Sequence, residues 1–128
     1  RRVLFRSAKA YPQAGLMPGG ALGEAEAVSW MSFIASTIHA AVPHGAERVA
    51  EAFRVGERKL SGKQWCVGDK YSIADIHLFR LYWRFKPRFG LKAEDHPSIQ
   101  ALHDRVMQRP AVKKTIEAEA KIESSLPP

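Results

Sequence analysis

Apolar residues over 24–42 recur with the spacing of a helix. At ~100° per residue, Ala27, Trp30, Met31, Ile34, Ile38 and Ala41 share one face. Ser29, Ser32, Ser36 and His39 lie about 150° away on the same wheel, so the other face is small and polar. Glu24 and Glu26 fall in the first turn, where the macrodipole favours negative charge, and Pro43 and Gly45 end the segment. A second helix is predicted over 46–60, with Ala46, Val49, Ala50, Phe53 and Leu60 inward and Gly62 as its stop.

Trp65, Cys66 and Val67 then make a short apolar crossing before a Gly68-Asp69 turn. The strongest local signal follows, Tyr71-Ser72-Ile73-Ala74-Asp75-Ile76. Ser72 can cap the Asp75 N–H while the Asp75 carboxylate reaches back to the Ser72 N–H, and Tyr71 and Ile76 stand as a hydrophobic staple. Leu78, Phe79, Tyr82, Trp83 and Phe85 make this third helix apolar around most of its circumference, which suits the middle of a bundle. A fourth helix is predicted over 97–108, with Ile99, Leu102, Val106 and Met107 inward. Arg109-Pro110 breaks it, because the residue before proline is pushed out of the α region. Pro110 can open a fifth helix that carries Val112 and Ile116 and fades by Ile122. No segment alternates like a strand, so the prediction is all-α, a five-helix bundle over residues 23–123. Trp30, Ile34, Phe53, Leu78, Phe79 and Leu102 are expected in one core.

The flanks read differently. Residues 8–22 are rich in breakers, among them Pro12, Gly15, Pro18, Gly19 and Gly20, and look like a tail and linker. Residues 1–7, Arg-Arg-Val-Leu-Phe-Arg-Ser, match the translation of a common sequencing-library adapter and are set aside as not native; a natural basic N-terminus is the other reading. Residues 1–20 are expected to be largely unpacked and 124–128 frayed. Setting residues 1–7 aside lowers the formal charge from +7 to +4, which no longer calls for a nucleic-acid partner. No apolar run approaches the ~20 residues of a membrane span. The single Cys66 excludes an internal disulfide, so a cytoplasmic setting is the default.

The stretch Trp65 to Ile76 resembles the Gly-Asp-x-Tyr-Ser/Thr-x-Ala-Asp signature of soluble glutathione transferases, in their all-α C-terminal domain. Arg109-Pro110-Ala111-Val112 is similar to that family's Arg-Pro-x-Val. Tyr11-Pro12 to Leu16-Met17-Pro18 is similar to the end of its thioredoxin-like domain and the linker after it. Bacterial Beta-like members are the nearest group. The resemblance implies glutathione as co-substrate, a small electrophile as substrate and a homodimer. It implies that residues 8–22 are the end of a thioredoxin-like domain otherwise absent, and that the fragment alone is inactive. It also implies roles: His39 as the catalytic candidate facing the cleft, Ser36, Tyr82 and Trp83 as substrate-binding, and Ser72 and Asp75 as the structural capping box. Two features depart from the family. The stretch after His39 is shorter, and Trp83 lies one residue earlier than the family's position, a rotation of ~100°.

Blander readings stand beside these. His39 also suits an exposed histidine near a helix C-terminus, and Ser36 a solvated serine. Cys66 has no Cys-x-x-Cys partner and reads as buried and inert. The capping role explains Asp75 without acid–base work. Arg80, Arg84 and Arg88 can hold a substrate carboxylate or form a solvated cationic face. The histidines show no metal-ligand spacing, so no metal is expected. A non-catalytic glutathione-transferase-like interaction module is the alternative to an enzyme.

Overall fold

The computed structural model describes the backbone of residues 2–125 and the side chains of residues 3–122. The described residues form six α-helices and no strand: α1 Arg2–Ala10, α2 Gly20–Phe33, α3 Ala46–Leu60, α4 Ile73–Phe89, α5 Pro97–Met107 and α6 Pro110–Ser125. All six residues expected in one core are buried together there. The inward stripe of the first predicted helix, Ala27 to Ala41, is buried at every position. Ala46 is the exception in the second helix: it is exposed, and Ala52 and Gly56 take the inward places.

Two segments differ from expectation. Residues 2–10 are helical and packed, not loose. Leu4, Phe5 and Ala8 fall on one face and seat against Met31 and Ile73 in a second small cluster. Lys9 pairs with Glu24 at 2.6 Å, and the linker is tied in where the Ile73 N–H donates to the Leu16 carbonyl. At the other end, α6 reaches Ser125, past the expected fade; residues 126–128 of the expected frayed tail lie outside the described residues.

The first predicted helix is also not one regular α-helix. After Phe33 it widens into a π-helical turn, Ile34–Ile38, in which the His39 N–H donates to the Ile34 carbonyl, and then tightens to a 3-10 turn, His39–His44. Pro43 accounts for the tightening. It has no N–H to give the carbonyl of His39, four residues back, so the final turn closes on three-residue bonds.

The Ser72–Asp75 box forms as expected and extends further. Asp75 Oδ2 accepts from the Ser72 N–H at 2.8 Å and the Ser72 hydroxyl at 3.0 Å, while Oδ1 accepts from the Cys66 N–H at 2.7 Å. The Ser72 side chain caps α4. One carboxylate thus fastens the apolar crossing to the start of the central helix. Arginines at and just after the end of α5 cover the same loop: Arg105 lies 5.2 Å over Trp65, and Arg109, between α5 and α6, lies 3.9 Å over Tyr71.

A second cap was not legible locally. His96 precedes α5 and offers it no side-chain bond. Glu57 of α3 supplies the acceptors instead, taking the Ser98 N–H at 2.8 Å and the Ile99 N–H at 3.0 Å. His96 itself is buried between Phe53 and Tyr82, with ring centroids 5.9 Å and 6.3 Å away.

Two stability predictions follow from these contacts. Asp75→Ala strands the buried N–H groups of Cys66 and Ser72 as well as losing a cap. Caps contribute ~0.5–2 kcal/mol and each orphaned buried donor costs ~1–3. The expected loss is about 2–4 kcal/mol, read as a lower urea midpoint; Asp75→Asn, which keeps an acceptor, should lose less. An unmoved midpoint in Asp75→Ala would show that the box is dispensable. The other prediction concerns His96. Burial pushes its pKa below the ordinary histidine value, against the pull of Asp95 and Glu57 and with a further push from Arg54. The unfolded chain therefore binds this proton more readily. The stabilisation is complete above the unfolded value of ~6.5 and is lost as pH falls through it and then through the lower folded value. Urea midpoints should drop between about pH 7.5 and about pH 5.5, and His96→Asn should flatten that drop.

Candidate functional site

The uncharged stretch from α2 through the 3-10 turn sets the surroundings of His39. Residues 27–43 contain no Asp, Glu, Lys or Arg. With the apolar stripe buried, this leaves Val28, Ser29, Ser32, Ser36, His39 and Ala40 on the exposed face. His39 opens the 3-10 turn, and its ring rests against Phe85 of α4, with centroids 6.4 Å apart and planes tilted by 43°. Phe85 is itself braced by Phe89 at 5.4 Å. The imidazole thus has an aromatic ring beneath it while the residue stays open to solvent.

Ser36 sits one turn back, exposed, in the π-helical turn. It lines a groove of about 610 Å³ between that segment and α3, together with Thr37, His44, Arg48 and Glu51. Ser36 and His39 thus share an outer face, but His39 is not among the residues that wall this groove.

Tyr82 and Trp83 lie elsewhere. Tyr82, expected on the substrate wall, is instead a core residue with no exposed surface. Its hydroxyl donates to Gln100 Oε1 at 3.0 Å, an oxygen that also takes the Lys86 ammonium at 2.6 Å. Phe53 packs edge-on at 5.5 Å. Burial pushes the phenol pKa up to about 12, so it stays a neutral donor. The physical reason is helical geometry: three residues before Phe85 and four after Leu78, Tyr82 belongs to the inward stripe of α4. Trp83 is half-buried and turned toward α6, where it lines a cleft with Phe79, Arg80, Val112 and Ile116. The one-residue offset in the sequence accordingly places it on a different side of α4 from Phe85 and His39. The four candidates do not converge: His39 and Ser36 occupy one outer face, and Trp83 another.

Two other candidates have settled roles. Asp75 is fully buried and engaged by three donors, and burial raises its carboxyl pKa despite those bonds, so it is a structural group. Cys66 is buried, and burial together with the Asp75 carboxylate holds its thiol well above the usual range, the opposite of a nucleophile's environment. Among the described residues no group of three His, Cys, Asp or Glu side chains gathers as a metal site, and no helix is long and apolar enough to cross a membrane. Sequence reasoning missed Phe85 as the floor under His39. It was assigned only to the core, and nothing in its spacing shows which ring it meets.

Known proteins share this fold. A sphingomonad glutathione S-transferase solved in complex with glutathione superposes with a TM-score of 0.82 at 28% identity, over 93% of this chain and 66% of that one. The beta-class glutathione S-transferase of Sphingomonas chungbukensis gives 0.81 at 27% identity, over 92% of this chain and 65% of that one. The probable glutathione S-transferase GSTF1 of Oryza sativa subsp. japonica is 33% identical over 75 residues, 57% of this chain and 34% of its own length. The chain thus spans about a third of that curated relative and just under two thirds of these two solved ones. The family model for the glutathione S-transferase C-terminal domain matches residues 26–110, across α2 to the start of α6, and the chain belongs to that family.

Proposed function

We propose that this chain is the electrophile-side part of a glutathione transferase. A thioredoxin-like domain would hold most of the glutathione, and this helical domain would form the facing wall. The intact protein would join glutathione to a small electrophile, or reduce with it, as a cytoplasmic homodimer. The observation that carries this reading is the uncharged outer face running from Val28 to Ala40, with His39 exposed on its Phe85 floor. Solvated helices ordinarily carry charge on their outer side. A face of small, neutral groups is suited to being covered by another domain or subunit, and to admitting a peptide-like thiol and an apolar electrophile. The likeness to a transferase solved with glutathione supports the same assignment.

The chemistry asked of this domain is modest. A thiol of pKa ~8.5 is mostly protonated at neutral pH, so a donor near sulfur raises the reactive thiolate fraction. On this reading His39 would donate a hydrogen bond to that sulfur, directly or through a water. Ser36, on the same face, is a polar contact for the bound molecule.

On this reading the helical domain does not hold the glutathione peptide by itself, so the 128-residue chain should not speed the reaction of glutathione with a model aryl halide. Turnover above the uncatalysed rate would refute that division of labour. In a two-domain protein that restores the activity, His39→Ala removes a hydrogen bond to a charged partner, an interaction of about 1.5–3 kcal/mol. Since about 1.4 kcal/mol is a factor of ten, kcat/KM should fall tenfold or more and the pKa of bound glutathione should rise. Tm should barely move, because His39 is exposed. Coincident pH–rate profiles for the two proteins would remove His39 from the site.

A further inference from the structure

We propose that the loop over 61–71, with the ends of α3 and α5 and the start of α6 around it, is a cationic surface that binds the phosphate backbone of duplex nucleic acid without reading its bases. Charge is spread unevenly along the chain. Residues 58–68 and 105–116 hold seven of the 20 Lys and Arg and none of the 13 Asp and Glu. The remaining 13 cations balance those 13 acids, so the whole formal charge of +7 belongs to these two segments. None of the seven lies in residues 1–7. Setting that stretch aside leaves the cluster whole and makes the rest of the chain net negative.

Folding brings the two segments together. Arg105 donates to the Gln64 carbonyl and lies over Trp65; Arg109 lies over Tyr71, whose ring is 5.5 Å from that indole. Burial and the Asp75 carboxylate raise the Cys66 thiol pKa, and the cations close enough to oppose them are Lys59 and Lys63. Arg58 leans to Glu51 at 3.9 Å. The other six, Lys59, Lys63, Arg105, Arg109, Lys113 and Lys114, have no carboxylate partner among the described residues. Local structure accounts for only part of this. Cations at the end of α3 suit the macrodipole. Helix α6 has no acid in its first turn and carries Lys113 and Lys114 close to its start, the reverse of what the dipole favours.

The partner follows from what the surface lacks. Membrane-surface binding joins a cationic face to exposed apolar side chains. The large exposed apolar residues, Val3, Tyr11, Leu22, Val28 and Ile122, all lie outside these segments. Single strands bind by stacking bases on open aromatic rings. Trp65 and Tyr71 are half-buried and already covered by arginines. A duplex needs neither: it presents one phosphate charge per ~1.7 Å of axis, all of one sign, whereas protein surfaces intersperse both signs. This surface does not rest on the transferase reading, which uses α2 and the turns after it.

The test is fluorescence anisotropy of a short labelled DNA duplex titrated with the whole chain from about 50 to about 200 mM salt. Saturable binding is expected, equal for two unrelated base sequences. Each phosphate neutralised contributes about −0.9 to the slope of log K against log salt, so four to six cations in contact give between about −3.5 and −5.5. Lys113→Gln with Lys114→Gln, both exposed, should weaken binding tenfold or more at about 50 mM salt and make the slope shallower by about 1.8. Lys63→Gln, on the loop, is an independent variant and should make it shallower by about 0.9. Arg84→Gln with Lys92→Gln removes two charges outside the two segments and should change affinity less than about threefold, because salt screens distant charge. Phosphatidylserine vesicles and polyglutamate, matched in charge, should displace the duplex poorly. No saturable binding at the lowest salt, equal losses in the two double variants, ready displacement by vesicles or polyglutamate, or a preference for one base sequence would each overturn the proposal.

Discussion

Asp75 receives three hydrogen bonds inside the protein, two from Ser72 and one from the Cys66 backbone, and the remaining architecture hangs on where those donors lie. Burying a carboxylate is costly, and its raised pKa records that cost. What the bonds secure is register. Ser72 fixes where α4 begins, Cys66 brings Trp65 and Val67 against the core, and the next residue, Ile73, ties back to Leu16 of the linker. Helix α4 then carries Phe85 to the underside of His39 and Trp83 to the edge of α6. A start displaced by one residue would turn both of those rings by ~100°.

Features set by local spacing were legible in the sequence. The buried faces of α2, α4 and α5 follow from 3.6-residue periodicity, and the capping box follows from four neighbouring residues. Features that depend on what a side chain meets across the fold were not. Glu57 reads as one more surface acid on α3, yet it caps a helix some forty residues later. Tyr82 was expected at a ligand wall, but its hydroxyl finds Gln100 and the residue stays in the core. Helix α1 was set aside on the origin of its residues, although Leu4, Phe5 and Ala8 already form an apolar face. The π-helical turn had a partial signal in Pro43. That residue marks where regular bonding must fail, but not how the preceding turn absorbs the change.

The outer surface is divided by charge more sharply than by shape. Along α2 and the turns after it, no charged side chain appears for a full seventeen residues, 27–43. Around α4, arginines recur every fourth position at 80, 84 and 88. A face of small uncharged groups gives up less hydration than a charged one on contact with another body; on α4, Arg80 is engaged by Glu119 and Arg88 lies over Phe89. The two faces meet through Phe85 and Trp83, on opposite sides of one helix.

The position of Trp83 joins these points. The resemblance to the family puts the corresponding ring one residue later. Here that later position holds Arg84, and the indole faces α6 instead. What His39 meets on α4 is Phe85, a ring with no hydrogen-bond donor, so that contact is apolar without a polar handle. The indole lines the cleft against α6 with Phe79, Val112 and Ile116. One residue turns a side chain by ~100°, so register alone decides on which side of α4 a large ring stands.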